Sequence, residues 1–269
     1  MLYHAKNATV TISGGKMDYI RFGTGKQVLL MLPGLGESIQ SLKGMALPMA
    51  LMYREFAKDF TVYLFSRKTP LPQGYGTRDM ARDQAEAMDR LGIERAHVFG
   101  VSMGGMIAQW LAIDHPDRVE RLVLTVTSAE PNPILVESIE EWMALAQAGD
   151  ATGFMRSNLR RIYSDRYCRQ NMWLAPILGR LTKPKSYDRF FIQSRACLNH
   201  NAAALLPTIR AKTLVIGGEQ DKALGAEASR KIAAAIPGAE LKMYPQWGHG
   251  LYEEAKDFNG MLLEFLARA

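Results

Sequence analysis

Cysteine is nearly absent from this 269-residue chain, which has only Cys168 and Cys197. Two lone cysteines build neither a disulfide framework nor a thiolate metal site. There is no apolar run near the roughly twenty residues that span a bilayer, so a transmembrane helix is excluded. The first residues, Met1 to Val10, lack the apolar stretch of a secretory signal, which leads us to expect a soluble, cytoplasmic protein. Lys/Arg runs are absent too. The net charge of +6 is a mild bias of an ordinary basic surface, and a nucleic-acid partner is not expected. Repeats and low-complexity tracts are missing as well. What remains is 48% hydrophobic, enough for one large core or one core with an insertion.

The chain is organised around Gly100-Val101-Ser102-Met103-Gly104-Gly105. An apolar strand pattern, Ala96 to Phe99, precedes it. A helical pattern follows, with Met106, Ile107, Trp110 and Leu111 on one side. A serine between glycines at minus two and plus two, on a strand-to-helix turn, is the pattern of a nucleophile elbow. Such a turn strains the serine backbone and lifts its hydroxyl clear of the sheet. The flanking positions must be small, because strand and helix pack without room for side chains. The Met103 N–H then lies in the first turn of the helix, where it can donate to a developing oxyanion.

The other segments set out strands and helices in order. Residues 8–13 and Lys16 to Phe22 read as a hairpin through Gly14-Gly15. Gln27 to Leu32 is a continuous apolar run, as in a strand buried on both faces. It ends in Pro33-Gly34-Leu35-Gly36-Glu37-Ser38, a glycine-rich loop at a strand's C-terminal end, where open α/β sheets bind ligands. The Leu35 N–H is the candidate for a second oxyanion donor. Ile39 to Asp59 reads as mostly helical and interrupted at Pro48. Its methionines Met45, Met49 and Met52 are expected to pack in the core, with an adaptable pocket wall as the alternative. Further strands are expected at Thr61–Ser66, Glu94–Gly100, Val119–Thr127, Ala211–Gly217 and Ala239–Tyr244. Helices are expected at Thr77–Gly92, Met103–His115 and Gly225–Ile236, with a closing helix running to Ala269.

Residues 129–207 break this rhythm. They hold no buried-strand run and are helical and polar. Ten Lys/Arg stand there against seven Asp/Glu, half the net charge of the chain. This segment is expected to be a helical cap over the site, with its cations mostly solvated. An anionic acyl group is one substrate class those cations would suit.

Acyl transfer by serine needs a base, an acid to orient the base, and oxyanion donors. Of five histidines, His97 lies within the elbow strand and His115 at the far end of the elbow helix. His4 is near the terminus and His200 in the 129–207 segment. His249, between Gly248 and Gly250 in a loop after the last strand, is the candidate base. Asp221, four residues past the Val215-Ile216-Gly217 strand end, is the candidate acid, with Glu219 a nearby rival. No metal-ligand or cofactor motif accompanies them.

Together the Leu32–Gly36 loop, the elbow, Gly218-Glu219-Gln220-Asp221 and Trp247-Gly248-His249 resemble the α/β-hydrolase fold family over essentially the whole chain. The closest likeness is to small bacterial serine esterases and lactonases. The chain departs from the family in having Pro33-Gly34 where relatives often have His-Gly. It also has Phe65-Ser66-Arg67-Lys68 where they often have Asp-x-Arg-Gly. The resemblance implies a mostly parallel, eight-stranded sheet with helices on both faces and an inserted helical cap. Residues 1–128 and 208–269 would form the core and residues 129–207 the cap. It implies a serine hydrolase of carboxylic esters or lactones with Ser102, His249 and Asp221 as triad, the N–H groups of Leu35 and Met103 as oxyanion hole, and no cofactor or metal. The partner would be a small acyl substrate, with no membrane; monomer and homodimer are both compatible. C–C bond hydrolysis, perhydrolysis and proline-releasing aminopeptidase activity use the same triad, the last disfavoured by a basic cap. A non-catalytic sensor on this scaffold is the reading from another class.

Overall fold

The computed structural model describes residues 2–268; Met1 and Ala269, at the ends of the expected core, lie outside them. Eight strands form one sheet: β1 (Lys6–Ile12), β2 (Gly15–Phe22), β3 (Gln27–Leu32), β4 (Phe60–Phe65), β5 (Ala96–Val101), β6 (Val119–Thr125), β7 (Lys212–Gly218) and β8 (Glu240–Tyr244). Their spatial order is β1-β2-β4-β3-β5-β6-β7-β8. The β1/β2 and β2/β4 pairs are antiparallel and the remaining pairs parallel. The expected sheet is thus present, with each strand within a few residues of its predicted range.

The apolar strands face two cores. Leu30 and Leu32 of β3 belong to one, with Val98, Leu122, Leu124 and Val215. Leu29 and Met31 belong to the other, with Phe99, Val123, Leu214 and Ile216. Alternate residues point to opposite faces, so a strand covered on both sides must be apolar throughout. That is why β3 reads as an unbroken run.

The helices are α1 (Ala46–Met52), α2 (Thr77–Arg90), α3 (Met103–Asp114), α4 (Pro133–Gln147), α5 (Ala151–Ile162), α6 (Asp165–Asn171), α7 (Ala175–Thr182), α8 (Asp188–Leu198), α9 (Ala226–Ala235), α10 (Leu251–Glu254) and α11 (Phe258–Ala267). Helices α4 to α8 all lie between β6 and β7. Pro48 does not interrupt a helix, contrary to the sequence reading. It sits in the first turn of α1, where its missing N–H would have no intrahelical partner. The closing helix is broken into α10 and α11, with Ala255 in extended conformation between them. Helix α3 is buried on nearly every side, beyond the single face its pattern suggests, because α2 joins β5 and β6 around it.

Candidate active site

Ser102 stands between the end of β5 and the first residue of α3, with φ 53° and ψ −121°. A positive φ strains a residue with a Cβ, by about 1–3 kcal/mol. The surroundings hold it there. Its N–H donates to the Thr125 carbonyl of β6 (2.9 Å), and its carbonyl accepts from Thr127 Oγ1 (2.7 Å) and the Gly105 N–H (2.8 Å). A Cβ on Gly100 would lie 2.6 Å from the Gly104 carbonyl oxygen, and one on Gly104 only 1.9 Å from that of Leu32. The glycines are therefore demanded by contact, as the motif predicts. Met103 opens α3, so its N–H is among the helix's unpaired donors; its side chain is in the core.

The glycine-rich loop after β3 continues into a short 3₁₀ turn, Leu35–Ser38. A Cβ on Gly34 would lie 3.3 Å from Ser102 Cβ and 3.8 Å from its Oγ. The loop is pressed against the serine, and Leu35 and Ser102 line one cavity.

His249 lines the same cavity from the loop after β8. Its Nδ1 is 2.9 Å from Asp221 Oδ2, and both side chains are buried. Asp221 is held in turn: its Oδ1 accepts from the N–H groups of Ala223 (2.8 Å) and Leu224 (2.9 Å). The rival Glu219 pairs with Arg230 instead. The loops after β7 and β8 are sewn together, with the Gln220 N–H donating to the Trp247 carbonyl at 3.1 Å. From α5, the Ile162 carbonyl accepts the Gly250 N–H at 2.6 Å. Thus all five residues singled out from sequence converge on one end of the sheet. His97 and His200 are buried elsewhere.

The cavity has a volume of about 430 Å³, ordinary for a small-molecule site. Met45, Met49 and Met52 all line it, and Met45 and Met49 also pack against the core, so both readings hold for them. Trp142, Phe154 and Phe190, from α4, α5 and α8, also line it. Among the described residues no Lys or Arg lines it. Of the cations of residues 129–207, Arg161 pairs with Glu137 and Glu141, and Arg189 with the wall carboxylate Glu37. An anionic acyl group, the substrate class those cations would suit, would meet no Lys or Arg on the described wall.

Two carboxylates on the wall were not singled out from sequence, Glu37 and Glu253. Burial alone would raise Glu37, but Arg67, Arg189 and the Ser66 hydrogen bond outweigh it and hold the carboxyl below its ordinary value. Glu253 accepts from Tyr163 Oη at 2.6 Å; desolvation raises its pKa despite that bond. The glutamate in the glycine-rich loop and the Arg67 departure were the available signals for the first. The second had only its place four residues after His249. Among the described residues no cluster of His, Cys, Asp or Glu could hold a metal ion, and no helix is long and apolar enough to cross a membrane.

Known proteins resemble this arrangement. The family profile described as the alpha/beta hydrolase fold matches residues 27–256. A 2-hydroxy-6-oxononadienedioate/2-hydroxy-6-oxononatrienedioate hydrolase of a Pseudomonas species is 29% identical over 200 residues, 71% of either chain. A protein of Caulobacter strain K31, provisionally named carbamate hydrolase RutD, is 30% identical over 191 residues, 70% of this chain and 71% of its own. Among solved structures, the alpha/beta hydrolase enzyme MGS-M2 from a Medee basin deep-sea metagenome library has a TM-score of 0.87 at 22% identity. That match covers 97% of this chain and 98% of the other.

Proposed function

This chain belongs to the α/β-hydrolase fold family and is a hydrolase, and on that premise we propose that it cleaves a neutral carboxylic ester or lactone through a serine acyl-enzyme. His249 Nε2 takes the proton of Ser102 Oγ as the oxygen attacks the carbonyl carbon. The N–H groups of Leu35 and Met103 receive the oxyanion. His249 passes its proton to the departing alkoxide, and water repeats the sequence to release the acid. Asp221 orients the imidazole and stabilises its cation. The chemistry needs neither metal nor organic cofactor. Residues 129–207 serve as the cap, on a core of 1–128 and 208–269, and supply Trp142, Phe154 and Phe190 to the substrate.

One observation carries this reading. His249, hydrogen-bonded to Asp221 behind it, lines the same cavity as a positive-φ serine, with Gly34 packed against that serine. The absence of Lys and Arg from the described cavity wall supports the neutral substrate. The Pseudomonas relative's name specifies a dioate, whose carboxylates would find no Lys or Arg among the described lining residues of this cavity. Ester hydrolysis is favoured over C–C cleavage of such an acid for that reason.

The test is fluorophosphonate labelling together with turnover of p-nitrophenyl butyrate and octanoate, with Ser102→Ala as control. Labelling of the wild type alone, and neutral esters turned over about tenfold or more faster than monoesters of succinate or glutarate, are expected from the desolvation of a second charge. An unlabelled wild type overturns the serine mechanism. Equal turnover of the succinate esters overturns the substrate class.

A further inference from the structure

We infer that Glu37 and Arg189 form a positioning pair that sets the Leu35 N–H in the oxyanion hole and makes the placement of helix α8 a determinant of turnover. The inference rests on the acyl-enzyme reading above and adds residues to it.

Leu35 is the first residue of the four-residue turn Leu35–Ser38. Its Leu35 side chain packs in the core, and the Ser38 hydroxyl donates to the Leu35 carbonyl at 2.6 Å. Gly36 within it has nothing within 4 Å of where a Cβ would stand. The turn is also held by the Glu37 carboxylate, whose side chain is 1% exposed. Ser66 Oγ, just past β4, donates to Glu37 Oε1. Arg189 Nη2 donates to the same oxygen at 2.9 Å, and Gln193 Nε2 donates to Oε2 at 3.2 Å. Arg189 and Gln193 are four apart on α8, hence on one face of that helix. Arg189 also donates to the carbonyls of Arg67 (2.8 Å) and Lys68 (2.9 Å), which staples α8 to the loop after β4.

The other end of the loop is held by one guanidinium hydrogen bond. The buried Arg67 donates through Nη2 to the Pro33 carbonyl at 2.5 Å. Thus one guanidinium grips the residue before Gly34 and another grips the residue after Gly36. Gly34 and Leu35, between the grips, face Ser102. Buried charges held by several partners are stiff, because any displacement leaves a charge unpaired. A donor must meet the oxyanion within a few tenths of an ångström to count. The pair is therefore placed to act on the transition state through Leu35, without touching substrate chemistry itself. A plain structural stitch between α8 and the core would use the same bonds and affect only stability.

The two roles separate in kinetics. Wild type is first labelled with fluorophosphonate. The variants Arg189→Met, Arg189→Lys and Glu37→Gln are then compared with p-nitrophenyl butyrate. They are also compared by inhibition with a trifluoromethyl ketone, whose adduct carries the oxyanion, and with its methyl ketone counterpart, which does not. Arg189→Met is expected to lower kcat about 10- to 100-fold with KM within about threefold. Trifluoromethyl ketone affinity falls in step, methyl ketone affinity does not, and Arg189→Lys recovers part of the loss. Unchanged kcat with only a lowered melting temperature overturns the inference, as does unchanged trifluoromethyl ketone affinity. Amide exchange at Glu37, Ile39 and Gln40 supplies a readout free of catalysis, since these N–H groups close the turn onto the Gly34 and Gly36 carbonyls. Exchange about tenfold faster in Arg189→Met supports the pair, and equal exchange overturns it. An unlabelled wild type sinks the serine mechanism, while the exchange result still decides the pair. Glu37→Gln leaves the buried Arg67 without its counter-charge; if it does not fold, Arg189→Met carries the test.

Discussion

Ser102 stores strain that its neighbours sustain. Its φ of 53° is costly with a Cβ and free for glycine. Ser102→Gly is therefore expected to be inactive and yet more stable, by about 1 kcal/mol, in urea denaturation. Equal or lower stability would mean that the hydroxyl and Cβ repay the strain through contacts. Asp221 acts on His249 through one hydrogen bond and is itself held by two backbone donors. Asp221→Asn keeps the shape but weakens control of the imidazole tautomer. A kcat loss on the order of 10⁴ is expected with p-nitrophenyl butyrate, with KM little changed. A loss under tenfold would assign the orienting role to another group.

At the scale of elements, the site depends on close approaches between strand ends and helices. Gly104 of α3 meets the Leu32 and Pro33 carbonyls, and both are backbone atoms that no rotamer change can move. Gly104→Ala is expected to cost about 3 kcal/mol or more, read as a fall in melting temperature. Gly260→Ala is its control: it lies in a helix with nothing within 4 Å of its Cβ, and it is expected to be neutral or mildly stabilising. The helices between β6 and β7 bound the cavity with large side chains. Trp142, 7% exposed, fills the wall from α4. Trp142→Ala is expected to shift ester preference toward longer acyl chains, seen as a rise in the octanoate-to-butyrate ratio of kcat/KM. An unchanged ratio would place the acyl group elsewhere in the cavity.

For the whole molecule, two buried histidines give a defined acid sensitivity. Burial, with the nearby Arg121 and Arg95 only partly offset by Glu120, pushes His97 down to about 4. His200 is pushed down to about 3 by burial, between Thr77 and Gln109. Both are neutral in the folded state at pH 7. Below the ordinary histidine value of 6.5, the unfolded chain binds protons that the folded chain does not. Stability from this source is complete above 6.5 and is lost as pH falls toward 4. A drop of a few kcal/mol in urea-measured stability between pH 7 and pH 4 is expected, and His200→Gln should make it shallower. A flat profile would mean that these sites take up protons without unfolding. His249 and Asp221 belong to a different region and do not enter this account.

The sequence by itself determined the sheet, its two-sided burial and the meeting of Ser102, His249, Asp221, Leu35 and Met103. Each of these signals is local: apolar runs, glycines beside a strained turn, a histidine and an aspartate placed just past strand ends. Topology then brings strand ends together without further instruction. Pro48 and the broken closing helix were misread because helix boundaries depend on which backbone groups find partners, and composition does not report that. Tertiary structure alone decided what the cavity offers a substrate. The ten cations of residues 129–207 suggested an anionic ligand, yet Arg161 turns to Glu137 and Glu141, Arg189 is paired with the wall carboxylate Glu37, and methionines and aromatics line the cavity. It also decided the Glu37–Arg189 contact, which joins residues 152 positions apart. Nothing in either segment marks the other, since a charge pair across that separation exists only once the chain has closed around it.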